Sequence, residues 1–457
     1  MKGADRTRLP EVGPDPPFTF PRIVRHRLPN GLDVRTIEHQ TMPVVTLVVQ
    51  VDAGAVADPA GREGLAAISA DMLDEGTGDL SAIDVSEAFA RIGADYDVDI
   101  GPDVTSFAVT ALERFADRGA SLLADVLLRP SLREPDFDRV RQLRLDRLRQ
   151  LKDSPPAVAE RAFLRLMYGD HAYGHLPIGN AAALGALALQ EVAEFHAARF
   201  QPSRSTIVVA GPSSHDDLLQ VVERAFSGWS DASLPVQGHP AGDVEPISPS
   251  TRLAVVPREA AAQSEVRIGH LSAHRRSPDY SALLVMNAVL GGQFVSRINL
   301  KLREEKGYTY GARSGFDWRR GLAPFSLQAS IHTGSTADAI ADCFAELHGI
   351  RGARPPSDAE MMLAKASLTR GYPRNFETAH QVARAVAQLA LYGLPDTYFE
   401  EFVPRVNAIH ADDVVRVAER YLDPARAVTL IVGDYHTIGP QLEQLDLGTP
   451  QVLPVDI

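Results

Sequence analysis

At 457 residues the chain is too long for one ordinary core, and 45% hydrophobic with 23% charged residues excludes disorder over most of its length. A net charge of −13 argues against a nucleic-acid partner, which needs a concentrated basic face. The single Cys343 excludes an intramolecular disulfide framework, and no run of about 18 apolar residues offers a membrane span.

In chain order, residues 1–20 form a polar, proline-rich extension without the basic-then-apolar order of a secretory signal. A soluble protein is expected, with the compartment open between a bacterial cytoplasm and periplasm. Leu28-Pro29-Asn30-Gly31-Leu32 reads as a turn between short strands, with Asn-Gly supplying the positive φ of a tight hairpin. Val44 to Val51 is a buried strand, and Gly64 opens an amphipathic helix expected to stop at Gly76. The alternation Tyr96, Val98, Ile100 predicts a strand ahead of Thr105 to Val109, and Asp136 to Leu151 predicts a long helix. His171 and His175 are four apart, but the intervening glycine makes a loop the better reading than a metal-binding helix.

The first half ends on a helix (Gln190 to His196), Phe200 with Pro202, the strand Thr206 to Ala210, and Gly211. The second ends on a helix (Ala411 to Val417), Tyr421 with Pro424, the strand Val428 to Val432, and Gly433. Three matched elements in the same order indicate an internal duplication. Residues 229–250, rich in Pro, Gly, Ser and Asp, form the linker between halves at 21–228 and 251–457. The second half opens with strands Leu253 to Val256 and Glu265 to Leu271 and a helix Ser281 to Leu290; Cys343 lies in an apolar pattern that suits a buried thiol. The expected fold class is α+β, two duplicated halves, each a helix-covered, antiparallel-rich sheet.

Two segments carry chemistry. The first runs VDAGAVADPAGREGLAAISADMLDEGTGDL from Val51 to Leu80. This frame resembles the insulinase/pitrilysin family of inverted-motif zinc peptidases, which includes the mitochondrial processing peptidase. In that family the helix carries H-x-x-E-H: two histidines four apart reach one zinc, and the glutamate between them takes a proton from the metal-bound water. On this frame the first His position is Ala67, the Glu position Ala70 and the second His position Asp71. The third ligand, a Glu in the next long helix, falls on Arg147, with Asp146 the alternative. The resemblance therefore implies a lost zinc site with no metal or cofactor in this chain. Asp71 and Arg147 are expected to pair in the vacated place. Asp71, Asp74 and Glu75 are acidic neighbours, but successive helical residues do not converge on an ion.

The second segment, Gly291-Gly292-Gln293-Phe294 through Leu302-Arg303-Glu304 to Tyr310-Gly311, is similar to the family's "GG…S.L…LRE..G..Y". The family's pair, an Arg and a Tyr seven apart, is matched by Arg303 and Tyr310. A guanidinium fork suits a substrate carbonyl, and a phenol can donate to a developing oxyanion. The bland alternatives are an ion pair of Arg303 with Glu304 and a half-buried strand aromatic at Tyr310. The strand near 92–99 matches one that pairs with substrate backbone in the family, although the usual Asn-Ala pattern is absent.

The resemblance spans about Phe20 to Tyr435. It implies a non-catalytic, substrate-binding subunit of a heterodimer, with an H-x-x-E-H sister carrying the zinc and an unfolded peptide as substrate. A purely structural paralogue and a stand-alone peptidase with an unconventional site are the other readings.

Overall fold

The computed structural model describes residues 18–231 and 251–454. Most of the linker expected at 229–250, and residues 1–17 of the expected extension, lie outside these. Strands β1 (Ile23–Arg27) and β2 (Asp33–Glu38) form the first hairpin, with Gly31 at φ +89° as the turn requires. Asn30 fixes that turn from below, its amide donating to the carbonyls of Phe226 (3.1 Å) and Trp229 (2.9 Å). β3 (Val44–Val51) matches the predicted strand end for end. A two-strand ribbon, β4 (Gly76–Thr77) with β5 (Leu80–Ser81), precedes β6 (Asp95–Ile100), β7 (Thr105–Leu112) and β8 (Ser205–Gly211). The second half supplies β9 (Leu253–Pro257), β10 (Gln263–Ala273), β11 (Ala312–Phe316), β12 (Ala323–His332), β13 (Val428–Gly433) and β14 (Gln451–Val452).

These strands build two six-stranded sheets, β1-β2-β8-β3-β7-β6 and β11-β12-β10-β13-β9-β14. β2 is parallel to β8, β3 antiparallel to β8 and β7, and β6 antiparallel to β7. β9 is parallel to β13, β10 antiparallel to β13 and β12, and β11 antiparallel to β12. Five strands of each sheet thus repeat one pairing scheme, and the duplication read from three sequence elements extends to these five; the sixth differs, β1 being antiparallel to β2 and β14 parallel to β9.

The halves are not separate packing units. Helix Pro155–Tyr168, from the first half, lies on β10 and β13 of the second sheet, and helix Ala379–Tyr392, from the second half, lies on β3 and β8 of the first. One hydrophobic cluster accordingly joins Ala159, Phe163 and Met167 to Val256, Val428 and Leu430. The other joins Val382 and Val386 to Ile37, Val48 and Val208. Each half completes the other's core, so neither buries its sheet alone. The extension also behaves differently at its end. Phe20 packs 4.6 Å from Phe399, and Phe18 stacks 5.2 Å from Phe376, binding the start of the first half to the second.

A polar node reinforces the interlock. Asp103, 2% exposed, accepts from the Tyr173 hydroxyl and from Arg320 N at 2.9 Å. Arg319 donates to Tyr173 O (3.1 Å), and Tyr168 Oη donates to Leu322 O (2.7 Å). Buried Cys343 sits in the second cluster, with its thiol pushed up by burial.

Candidate functional site: a helix without zinc donors and an exposed Arg–Tyr loop

The helix at the first segment is short, Leu65–Asp71, and stops five residues before the expected Gly76. Met72, the C-cap, keeps helical φ/ψ of −74° and −14°, Leu73 N donates to Ala70 O at 3.2 Å in a tightened last turn, and both side chains are fully buried before β4. Its start is built with care. Buried Asp58 accepts from Gly64 N (2.7 Å) and Ala66 N (2.6 Å), satisfying donors at the helix's positive end. His175 Nε2 lies 3.0 Å from the same carboxylate, and His171 Nδ1 accepts from Tyr173 N at 3.1 Å. Both histidines therefore serve loop structure around a single 3-10 turn at Ala172–Gly174. Burial pushes the Asp58 carboxyl up, against the opposing pull of His175 and the two amides.

Ala67 and Ala70, on which the resemblance places the first His and the Glu, are 1% and 0% exposed and face packed protein. Asp71 instead borders a cavity of about 490 Å³ with Asp74, Glu75, Val98, Leu143, Arg144 and Arg147. The expected Asp71–Arg147 pair does not form. Arg144 Nε donates to Asp71 Oδ2 at 2.7 Å, whereas Arg147 donates to Gln150 Oε1 at 3.2 Å. The reason lies in the helix Glu134–Leu151, where residues 140, 144 and 147 share one face. Arg144, one turn nearer the helix start, reaches Asp71 first and is the more buried of that pair. Asp146 is engaged by Gln142 (3.0 Å) and by Arg149 and does not line the cavity.

Asp74 forms no salt bridge among the described residues, whereas Glu75 is paired with Arg139. Burial first, then the Glu75 and Asp71 charges, push its carboxyl up to about 6. Tyr96 is raised as well, by burial and then by Asp74 and Asp71, and its hydroxyl lacks a partner among the described residues. A carboxyl raised in the fold adds most stability below its ordinary value near 3.8, and that contribution is lost as pH rises through about 6. Asp74→Asn should therefore gain on the order of 1 kcal/mol near pH 7.5, the full shift being discounted for partial solvent screening. The two urea midpoints should converge near pH 4; equal offsets at both pH values would contradict a raised Asp74.

At the second segment, Arg303 lies in a π-helical turn, Leu300–Glu305, a conformation often found where a side chain must be re-aimed. Its guanidinium carbon stands 4.1 Å over the Phe294 ring. Nη1 is 3.4 Å from Glu304 Oε1, too poorly placed to satisfy it, and this buried nitrogen has no hydrogen-bond partner among the described residues. Tyr310 is 93% exposed rather than a half-buried strand aromatic. Its loop is nonetheless fixed, because Thr309 Oγ1 donates to Ser330 O (2.7 Å) just before β11.

The paired glycines of this segment have a steric reason. A Cβ on Gly291 would lie 2.4 Å from Ser314 Oγ and 2.9 Å from Ser314 N, and one on Gly292 would lie 2.5 Å from Asn287 Nδ2. This close approach lets Ser314 N donate to Gly291 O (2.9 Å) while Asn299 Oδ1 accepts from Ala312 N (2.9 Å). The outer edge of β11 is thereby occupied. β6, the edge of the first sheet, has no such cover among the described residues; Asp95, Asp97 and Asp99 are exposed, and Tyr96, Val98 and Ile100 turn inward as the alternation predicts.

Two models of one family match in succession: insulinase (peptidase family M16) at residues 34–178 and the peptidase M16 inactive domain at 186–368. The chain belongs to the insulinase family. A relative named as an uncharacterized zinc protease of Mycobacterium leprae is 24% identical over 417 residues, 90% of this chain and 92% of the relative. The probable mitochondrial-processing peptidase subunit beta of Schizosaccharomyces pombe is 24% identical over 282 residues, 60% of this chain and 59% of the relative. The crystal structure of a peptidase M16 inactive domain from Pseudomonas fluorescens superposes with TM-score 0.83 at 21% identity, covering 90% of this chain and 98% of that one. A protease from Helicobacter pylori gives TM-score 0.83 at 20% identity over 90% of this chain and 99% of its own.

The insulinase family implies a zinc ion on the Leu65–Asp71 helix, and the side chains here do not fit one. Two of the positions are alanines sealed in protein, and Asp71 is committed to a guanidinium. Among the described residues no group of three or more His, Cys, Asp or Glu is arranged to hold a metal. Nor is any helix there long and apolar enough to cross a membrane. Sequence reasoning missed Arg144, Phe294, Asn299 and Asp103. Only Arg144 carried a signal, its position three residues before Arg147 on the same helical face.

Proposed function

We propose that this chain is the non-catalytic, substrate-binding subunit of a heterodimeric zinc peptidase, lending Arg303 and Tyr310 to a sister subunit with an H-x-x-E-H helix. The observation that carries this reading is Tyr310: a tyrosine 93% exposed on a pinned loop stabilises nothing in its own subunit. Seven residues earlier in the same segment, Arg303 has a buried guanidinium nitrogen with no hydrogen-bond partner among the described residues. The Tyr310 hydroxyl can donate to a carbonyl or an oxyanion brought from outside, and Arg303, whose side chain is 32% exposed, can do so through the accessible part of its guanidinium. The sister supplies the zinc and its activated water. An extended, unfolded peptide is the substrate, and the uncovered edge of β6 offers it a row of backbone partners.

The test is a peptidase assay and zinc determination on the chain alone, then mixed with the H-x-x-E-H sister. The isolated chain should be metal-free and inactive, and the mixture active with zinc traceable to the sister. Stoichiometric zinc and activity in the isolated chain would sink the proposal. A complex whose activity equals that of the sister alone would reduce the chain to a scaffold.

A further inference from the structure

We infer that Phe294 is a positioning residue for Arg303, an aromatic platform that holds the guanidinium where substrate meets it; this rests on the substrate-gripping role proposed for Arg303 and Tyr310. Phe294 is 65% exposed, so its ring is not there to fill the core. Among the described residues its ring face meets Arg303, whose guanidinium carbon lies 4.1 Å from the ring centroid, well within cation–π range. The same ring lines, with Tyr310, a cavity of about 550 Å³ whose floor is the polar face of β10 and β12 at Arg267 and Gln328. Phe294 therefore connects the two members of the pair: it stacks on one and shares a cavity wall with the other.

The platform is itself tethered. Asn299, 3% exposed, donates from Nδ2 to Phe294 O at 2.6 Å and accepts at Oδ1 from Ala312 N at 2.9 Å. One buried amide thus ties the Phe294 loop, the helix leading into Arg303 and the strand that follows Tyr310. The π-helical turn completes the arrangement. Lys306 N donates to Lys301 O, five residues back, at 3.1 Å, and Arg303 lies inside that widened turn with its guanidinium over the ring. A long arginine on a solvent-facing turn otherwise samples many rotamers, and losing that freedom only on binding weakens the grip. Stacking restricts the rotamers in advance; Nη1 is buried, and the accessible remainder of the guanidinium, on a side chain 32% exposed, is left to donate.

The experiment uses the complex with the zinc-bearing sister for kinetics and the full chain for spectroscopy. Phe294→Leu should lower kcat/KM about tenfold, the scale of one cation–π contact, chiefly through KM, while Phe294→Tyr should restore most of it. In an Arg303→Ala background, Phe294→Leu should cause no further loss, because its action passes through the arginine. In the full chain the Arg303 side-chain resonances, identified by their absence in Arg303→Ala, should be shifted upfield by the ring. They should return downfield in Phe294→Leu and stay upfield in Phe294→Tyr. Unshifted resonances in the wild-type chain would overturn the inference whatever the kinetics. So would an undiminished effect of Phe294→Leu in the Arg303→Ala background, which would make Phe294 a direct substrate contact. If Arg303→Ala alone leaves turnover intact, the proposed function fails, and the ring-current shift still decides whether Phe294 holds Arg303.

Discussion

Arg303→Ala, assayed in the complex with the zinc-bearing sister, should lower kcat/KM by about 100-fold, and Tyr310→Phe by a similar factor, the usual cost of losing one preorganised donor. The two losses should divide differently. An arginine holding a substrate carbonyl acts in the ground state and the transition state alike, so its removal raises KM as well as lowering kcat. A phenol donating to charge that appears only in the transition state leaves KM nearly unchanged and lowers kcat. Tyr310→Phe is the cleaner experiment, because it removes one oxygen from a side chain that is 93% exposed. Folding stability should stay within about 0.5 kcal/mol of the parent, so reduced turnover cannot be ascribed to unfolding. Unchanged kinetics in both variants, with the complex still assembled, would leave this chain only an architectural role.

How much of this was legible beforehand depended on how local the determining interactions are. Strands such as Val44 to Val51, and the long helix ending at Leu151, announce themselves through periodicity and turn residues, and the structure places them where the pattern does. The helix expected from Gly64 to Gly76 fails for the opposite reason. Past Asp71 the last turn tightens, Leu73 N donating to Ala70 O at 3.2 Å, as Met72 and Leu73 enter a core assembled from distant segments. The crossing of Pro155–Tyr168 and Ala379–Tyr392 onto each other's sheets was not legible either. Amphipathic helices show which face is buried but not which sheet buries it. At the first segment, sequence spacing brought the right helix face to the right place and then chose the wrong arginine. One helical turn separates Arg144 from Arg147, and only coordinates show which one reaches Asp71. Phe294 was present in the matched segment as mere frame, because nothing in a string of letters shows a ring lying under a guanidinium nine positions away.

Asp103→Ala should destabilise the fold by about 3 kcal/mol, measured by urea unfolding of the full chain. The carboxylate is buried between the halves, and two donors depend on it: the Tyr173 hydroxyl and Arg320 N. Burying a carboxylate is costly, so its removal returns some desolvation energy. That return is outweighed because Arg320 N and the Tyr173 hydroxyl lose their acceptor in a place water cannot easily reach; Tyr173 is 1% exposed. Burial first, then Asp103, hold the Tyr173 phenol well above its ordinary range, so it remains a donor at any physiological pH. Asp103→Asn, which keeps an acceptor oxygen in the same place, should cost less than half as much. Asp103→Ala combined with Tyr173→Phe should cost less than the sum of the two, since the second change removes a donor the first had already stranded. Through all of these variants unfolding should remain a single transition. Each half buries its sheet under a helix of the other, so weakening the polar node lowers the stability of both together. Two resolved transitions in Asp103→Ala would mean that this node, rather than the exchanged helices, makes the halves one cooperative unit.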